Sequence, residues 1–276
     1  MAPGPGMNSV EPTALALGRR VLAFLIAAPA SYTPETGWRP GPALLAGALI
    51  LACAPVAALA AVWVYAWLAG LKLPGATAPG VLARHQAVQT AIYFAVMHST
   101  FIASTLAAAR QFESRPLRAL ALEPPAAGVP AYLAAILAGA AGAALWFGAL
   151  LAFAPELVLA DLRPNQGRLQ AEFGWLLLPV LCLLAPLSEE LLFRGFLFSA
   201  LSKSSLGRAG AALVTTSLWT ALHVGHTPIA QAQVFASGLL LSWLLVRTGS
   251  LRVPIACHVL FNSALGLVLL LTPPLG

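Results

Sequence analysis

The sequence predicts an all-α membrane protein: a polytopic transmembrane helical bundle with about seven spans and an added N-terminal interfacial helix. Two observations carry this. First, only 9% of the 276 residues are charged while 59% are hydrophobic, and the mean hydropathy is +0.85. A soluble domain carries roughly 25% charged residues, so most of this chain does not meet water. Second, the apolar residues fall in repeated runs that reach the ~20 residues a helix needs to cross the hydrocarbon core.

The runs place spans near 43–70, 86–109, 130–155, 174–201, 209–226, 231–246 and 254–272. The third is rich in small residues (Ala134, Gly139, Gly142, Gly148) and lets a neighbouring helix come close. The fourth, at ~42 Å for a 1.5 Å rise, must tilt or protrude. Residues 1–42 read as a polar and interfacial N-terminal segment, 43–170 as N-terminal transmembrane helices, and 171–276 as the region that carries the chemistry. Met1–Arg20 is rich in Gly and Pro and reads as disordered. Arg19-Arg20 followed by Val21–Ala28 has the outline of a signal peptide. Its apolar stretch is short, however, and an interfacial helix is the preferred reading. An eighth span here would invert the charge bias of the loops.

That bias sets the expected orientation. With seven spans, ten basic residues share one side: Arg19, Arg20, Arg39, Arg110, Arg115, Arg118, Lys203, Arg208, Arg247 and Arg252. Four lie on the other: Lys72, Arg84, Arg163 and Arg168. The richer side should be cytoplasmic, with the N-terminus inside. A net charge of +6 made of such scattered loop residues is a topology signal, and nucleic acid is not an expected partner. Cys53, Cys182 and Cys257 are far apart in apolar runs with no C-x-x-C, which argues against a disulfide framework or zinc knuckle.

Ionisable side chains inside a span cost about 2.5–3.5 kcal/mol each on insertion scales, so they are functional suspects. The first half of the chain offers His98; the second half offers Glu189, Glu190, Arg194, His223 and His258, with Asn262 as a polar companion. In Ser188-Glu189-Glu190-Leu-Leu-Phe-Arg194, Glu190 and Arg194 are four apart and can pair on one helix face. Glu189 points about 100° away and has no local partner, which makes it the candidate general base. A plain charge latch between helices would account for Glu190 and Arg194 but not for Glu189. Trp219-Thr-Ala-Leu-His223 puts an aromatic one turn before a histidine, and His258-Val-Leu-Phe-Asn262 puts His and Asn on one face. Three such polar faces on nearby spans each need a partner in lipid, and convergence on one buried site satisfies them together.

Glu-Glu-x-x-x-Arg, aromatic-x-x-x-His and His-x-x-x-Asn, in this order on separate helices, resemble the motifs of the CAAX-protease and bacteriocin-processing family of intramembrane endopeptidases. Phe193-Arg194-Gly195 and Arg247-Thr-Gly-Ser-Leu251 with Pro254 fit the same pattern, and the resemblance covers about residues 174–270. Trp219 departs from it, since the family usually has Phe there; a slightly altered pocket is expected. The resemblance implies that Glu189 with His223 activates a water, that His258 and Asn262 hold the oxyanion, and that Glu190 and Arg194 support the site. The substrate it implies is a membrane-associated protein or peptide, often a C-terminal tail or sorting signal. Composition rich in Ala, Leu, Gly and Pro points to a high-GC bacterial genome and hence a bacterial cytoplasmic membrane. Prenylated tails are not the expected substrate there.

Three alternatives stay open. Glu189, His223 and His258 are the set that would ligate zinc with a place left for water. H-E-x-x-H is absent, and Asn is a poor zinc ligand but a good oxyanion donor, so the glutamic mechanism is favoured. A non-catalytic transporter or immunity protein is the second, although the two halves lack matching broken helices and all six motif positions are filled. Third, Cys257 adjoins His258 but points about 100° away, which disfavours a cysteine nucleophile. His98 reads as a helix-to-helix hydrogen-bonding residue and His226 as interfacial. Measured from the more basic ends, Glu189 and His223 lie about 20 Å deep and His258 about 8 Å. That difference predicts a cavity opening towards the basic, cytoplasmic end.

Overall fold

A computed structural model describes residues 13–26, 31–71 and 79–275. The described residues form helices throughout, with α1 at Thr13–Ile26, α2 at Pro40–Leu68, α3 at Pro79–Phe112 and a short α4 at Pro116–Ala119. They continue with α5 at Val129–Phe153, α6 at Pro155–Gln170, α7 at Gly174–Ser202, α8 at Gly207–Ala221, α9 at Pro228–Thr248 and α10 at Arg252–Leu271. Proline stands in the first turn of α2, α4, α5, α6 and α9. At that place its missing N–H is one the helix leaves unpaired anyway. Thr227 caps α9 by accepting from the Ala230 N–H at 3.3 Å.

Six of these helices are long and apolar enough to cross a membrane: Pro40–Leu68, His85–Phe112, Val129–Phe153, Gly174–Ser202, Pro228–Thr248 and Arg252–Leu271. The protein is an integral membrane protein. The expected fifth span, 209–226, is α8, which stops after 15 residues. A helix that short rises ~22 Å and falls short of the ~30 Å core. The chain still runs one way through α8 and back through α9, so the alternation of ends survives. α1 has 14 residues, too few to cross, and packs against α5. Residues 1–12 and 27–30, the latter with the whole Ala28-Pro29-Ala30 stretch, lie outside the described residues.

Helix α7 is the axis of the bundle, packed by α2, α3, α8 and α10. Every residue from Glu190 to Leu201 is buried. Outward-facing residues are apolar instead: Trp63, Trp67, Leu145 and Phe153 are all exposed, which is the face lipid covers. Of the small residues of α5, Ala134 is buried and Gly139 meets a neighbouring helix as the sequence predicts, whereas a Cβ on Gly142 or Gly148 would meet nothing within 4 Å. A Cβ on Gly139 would lie 2.9 Å from Cys257 Sγ, so α10 seats directly on α5.

Candidate active site

Pro186 lacks the N–H that would bond the preceding turn. Around it α7 widens into π turns at Val180–Leu184 and again from Glu190 to Leu197. Such turns are rare and collect at functional sites. Glu189 and Glu190 sit at the start of the second widened stretch and diverge as the 100° step requires.

Glu190 turns into the protein. Its side chain and that of Arg194 are wholly buried, with Arg194 donating to Glu190 Oε1 at 2.9 Å. Arg194 also donates to the Gly238 carbonyl at 3.2 Å and stacks on Trp219 with 4.5 Å between its Cζ and the ring centre. Gly238 makes this approach feasible: a Cβ there would come within 2.6 Å of Thr216 and 3.0 Å of both Arg194 and Trp219. The same Glu190 oxygen accepts from His258 Nδ1 at 3.0 Å. One buried carboxylate therefore fixes both an arginine and a histidine ring.

Glu189 turns the other way, towards α8. Trp219 Nε1 donates to its Oε2 at 2.8 Å, and His258 Nε2 lies 3.9 Å from the same oxygen. The rings of His223 and His258 both meet Trp219 edge-on, at 4.9 and 5.6 Å between centres. His223 lies just beyond the end of α8, where its Nδ1 donates to the Trp219 carbonyl at 2.9 Å. That bond places the proton on Nδ1 and leaves Nε2 as the acceptor. Asn262, one turn after His258 on α10, donates to the Leu181 carbonyl in the first π stretch at 3.0 Å.

The structure thus gathers Glu189, Glu190, Arg194, Trp219, His223 and His258 around one indole, with Asn262 one turn beyond His258. Trp219 is more than a bulky replacement for Phe, because its N–H supplies a hydrogen bond to Glu189 that Phe has no means of making. His98 of α3 is a helix-to-helix residue, buried and bonded through Nδ1 to Ser188 Oγ at 2.7 Å. Ser188 passes its own proton to the Ala185 carbonyl at 2.9 Å, which fixes it as the acceptor. Cys257 faces the Ala135 carbonyl of α5 at 3.5 Å.

Sequence reasoning missed the anchor of the His223 loop. Asp161 of α6 accepts from the Thr227 N–H at 2.9 Å and from its hydroxyl at 2.5 Å, with His226 Nδ1 at 3.4 Å. Burial pushes the Asp161 carboxyl up, but these bonds outweigh burial and hold it below the usual carboxylate range. The signal in the sequence was slight: an acid in a polar stretch, with its partner 66 residues away.

Towards the basic end the site is flanked by apolar packing. Beyond Glu190 in that direction lie Phe193, Phe196 and Phe198, each wholly buried, with Leu120 and Leu251 closing over Gly195. Trp38 seals the next turn, donating to the Phe196 carbonyl and to Ser199 Oγ, both at 3.2 Å. His258 appears shallow by residue count because Leu251, bonded to the Ala121 carbonyl at 2.8 Å, is folded in to the level of Gly195. At the other end a recess of about 150 Å³ lies between α6 and the loop after α8, lined by Asp161, Asn165, Arg168 and His226 among others.

Among the described residues no three His, Cys, Asp or Glu side chains are gathered so as to hold an ion. The Trp219 ring stands edge-on against both His223 and His258.

A multispan membrane protein with a buried carboxylate–histidine site is thereby defined. Residues 170–264 match the family model described as type II CAAX prenyl endopeptidase Rce1-like. This agrees with the family resemblance carried by the three motifs, and it supports a protease. No curated protein and no solved structure matched the chain.

Proposed function

We propose that the protein is an intramembrane endopeptidase that hydrolyses peptide bonds of membrane-associated proteins or peptides by a glutamate-activated water. The observation that carries this is Glu189, a carboxylate held by Trp219 at 2.8 Å with His258 at 3.9 Å. It stands beside a separate buried ion pair that already accounts for Glu190 and Arg194.

In this reading a water lies between Glu189 and the free Nε2 of His223. Glu189 takes one proton as the hydroxyl oxygen attacks the carbonyl carbon. The carbonyl oxygen becomes an oxyanion, which accepts hydrogen bonds from His258 Nε2 and Asn262 Nδ2. With Nδ1–H committed to Glu190, donation from Nε2 requires the doubly protonated ring, and Glu190 is its counter-ion. Glu189 then returns the proton to the leaving nitrogen as the C–N bond breaks. Water exclusion by the plug of Phe193, Phe196 and Phe198 strengthens each of these interactions. We place the protein in a bacterial cytoplasmic membrane with its N-terminus inside, on the ten-to-four basic count.

The test is cleavage of a fluorogenic membrane-peptide library by the purified protein, beside Glu189→Ala, with and without a strong chelator. The expected result is turnover that the chelator spares and Glu189→Ala lowers by at least about a hundredfold. Loss with chelator and return with zinc would replace the water-activation scheme. Turnover that survives Glu189→Ala would remove Glu189 from it, and a folded wild type that cleaves nothing would favour a binding, immunity or transport role.

A further inference from the structure

Between its two π stretches α7 returns to α-helix only for Ala185–Glu189, and its own backbone holds that piece weakly. Pro186 has no N–H to give to the preceding turn. Ser188 spends its hydroxyl proton on the Ala185 carbonyl at 2.9 Å, a back-bond of the kind that bends helices. The direction in which Glu189 leaves α7 is therefore set from outside. Trp219 holds the tip of the carboxylate at 2.8 Å. The residue before it is held by α3, where His98 Nδ1 donates to Ser188 Oγ at 2.7 Å. Both partners are buried. The His98 ring is itself fixed, stacked on Phe94 at 6.2 Å and edge-on to Phe101 at 5.9 Å, one turn away on either side. Burial apart, the groups that act on it electrostatically are Glu189 and His223, so the ring stands within electrostatic reach of the site.

Two apolar side chains would fill this contact between α3 and α7 without burying any polar group. A hydrogen-bonded histidine adds what apolar contact lacks, a preferred direction. We propose that His98 is a positioning residue for the reaction: through Ser188 it fixes the rotation of α7 at Glu189, so that the carboxylate meets Trp219 and the attacking water together. His98 lies outside residues 170–264, the part that matches the family model, so the working site of this chain extends into its N-terminal half. This rests on the reading of Glu189 as the base, but the hold on Glu189 is measurable without any cleavage.

The experiment compares the purified full chain with His98→Leu, His98→Asn, Ser188→Ala, and His98→Leu combined with Ser188→Ala. Leucine keeps bulk and loses the donor; asparagine keeps a donor near the place of Nδ1 and loses bulk. On the fluorogenic membrane peptides, His98→Leu and Ser188→Ala should each lower kcat about 10–100-fold with KM little changed, since a ~1 Å misplacement can cost ~100-fold. The combined variant should be no worse than either alone, because both remove one contact. His98→Asn should regain most of the loss. The opposite order, with His98→Leu near wild type and His98→Asn the poorer, means that the ring only fills space and overturns the proposal. The second readout is fluorine NMR of fluorotryptophan-labelled protein, with the Trp219 signal identified by its loss in Trp219→Phe. That signal should move in His98→Leu, in Ser188→Ala and in Glu189→Gln, and return towards its wild-type position in His98→Asn. A Trp219 signal unmoved by both His98→Leu and Ser188→Ala overturns the proposal whatever the kinetics. If the signal moves as expected but the wild type cleaves nothing, the hydrolytic reading falls while the hold of His98 on Glu189 stands.

Discussion

Arg194→Met and Glu190→Gln, made singly and together, test whether the buried pair is the post on which the site is hung. Both side chains are wholly buried and 2.9 Å apart. Removing one partner of such a pair costs about 3–5 kcal/mol, because the other charge is left in the interior. The lower figure applies here. Glu190 would keep His258 at 3.0 Å, and Arg194 would keep the Gly238 carbonyl and the Trp219 face. Each single change should therefore cost about 3 kcal/mol. The pair does not recover all of its desolvation, since Glu190 Oε2 and Arg194 Nε have no hydrogen-bond partner among the described residues. Replacing both by neutral groups should then cost about 3 kcal/mol as well, a coupling of about 3 kcal/mol at the upper end of measured cycles. The assay is SDS-driven unfolding in bicelles, followed by tryptophan fluorescence. A double variant that costs the sum, about 6 kcal/mol, would refute the reasoning, and so would either single variant within about 1 kcal/mol of wild type.

Other outcomes follow from the same contacts. Trp219→Phe removes the N–H donor to Glu189. A hydrogen bond to a charged group is worth about 1.5–3 kcal/mol, so kcat should fall about 10–100-fold with KM little changed; an unchanged kcat would show that the bond does not orient the base. Asp161 is held below its ordinary value, so its stabilisation is complete above the unfolded carboxylate pKa of ~3.9 and is lost as pH falls through the lower folded value. Thermal unfolding between pH 5 and 2, values chosen to bracket that ~3.9 carboxylate, should show this loss in wild type and a shallower one in Asp161→Asn. Equal slopes would mean that the contact to Thr227 does not form in solution.

Much of this protein was legible in the sequence for one reason: lipid leaves few choices. A chain that is 59% hydrophobic with 9% charge must become helices, and any glutamate, arginine or histidine left within them must find a partner. The Glu190–Arg194 pair follows from a spacing of four on one helix, and the divergence of Glu189 from a step of 100°. Long-range packing was not legible in that way. That Trp219 donates to Glu189, that Gly238 clears room for Arg194, and that Asp161 holds the His223 loop all depend on which helices become neighbours. Depth was also decided by packing. Residue counts along α10 made His258 shallow, but Leu251 is tucked in beside Gly195, and α8 ends early at Ala221. Periodicity and hydropathy are properties of one helix at a time and fix which side chains must be buried. The mouth of the site depends on where several helices begin and end relative to each other, and only the folded bundle sets that.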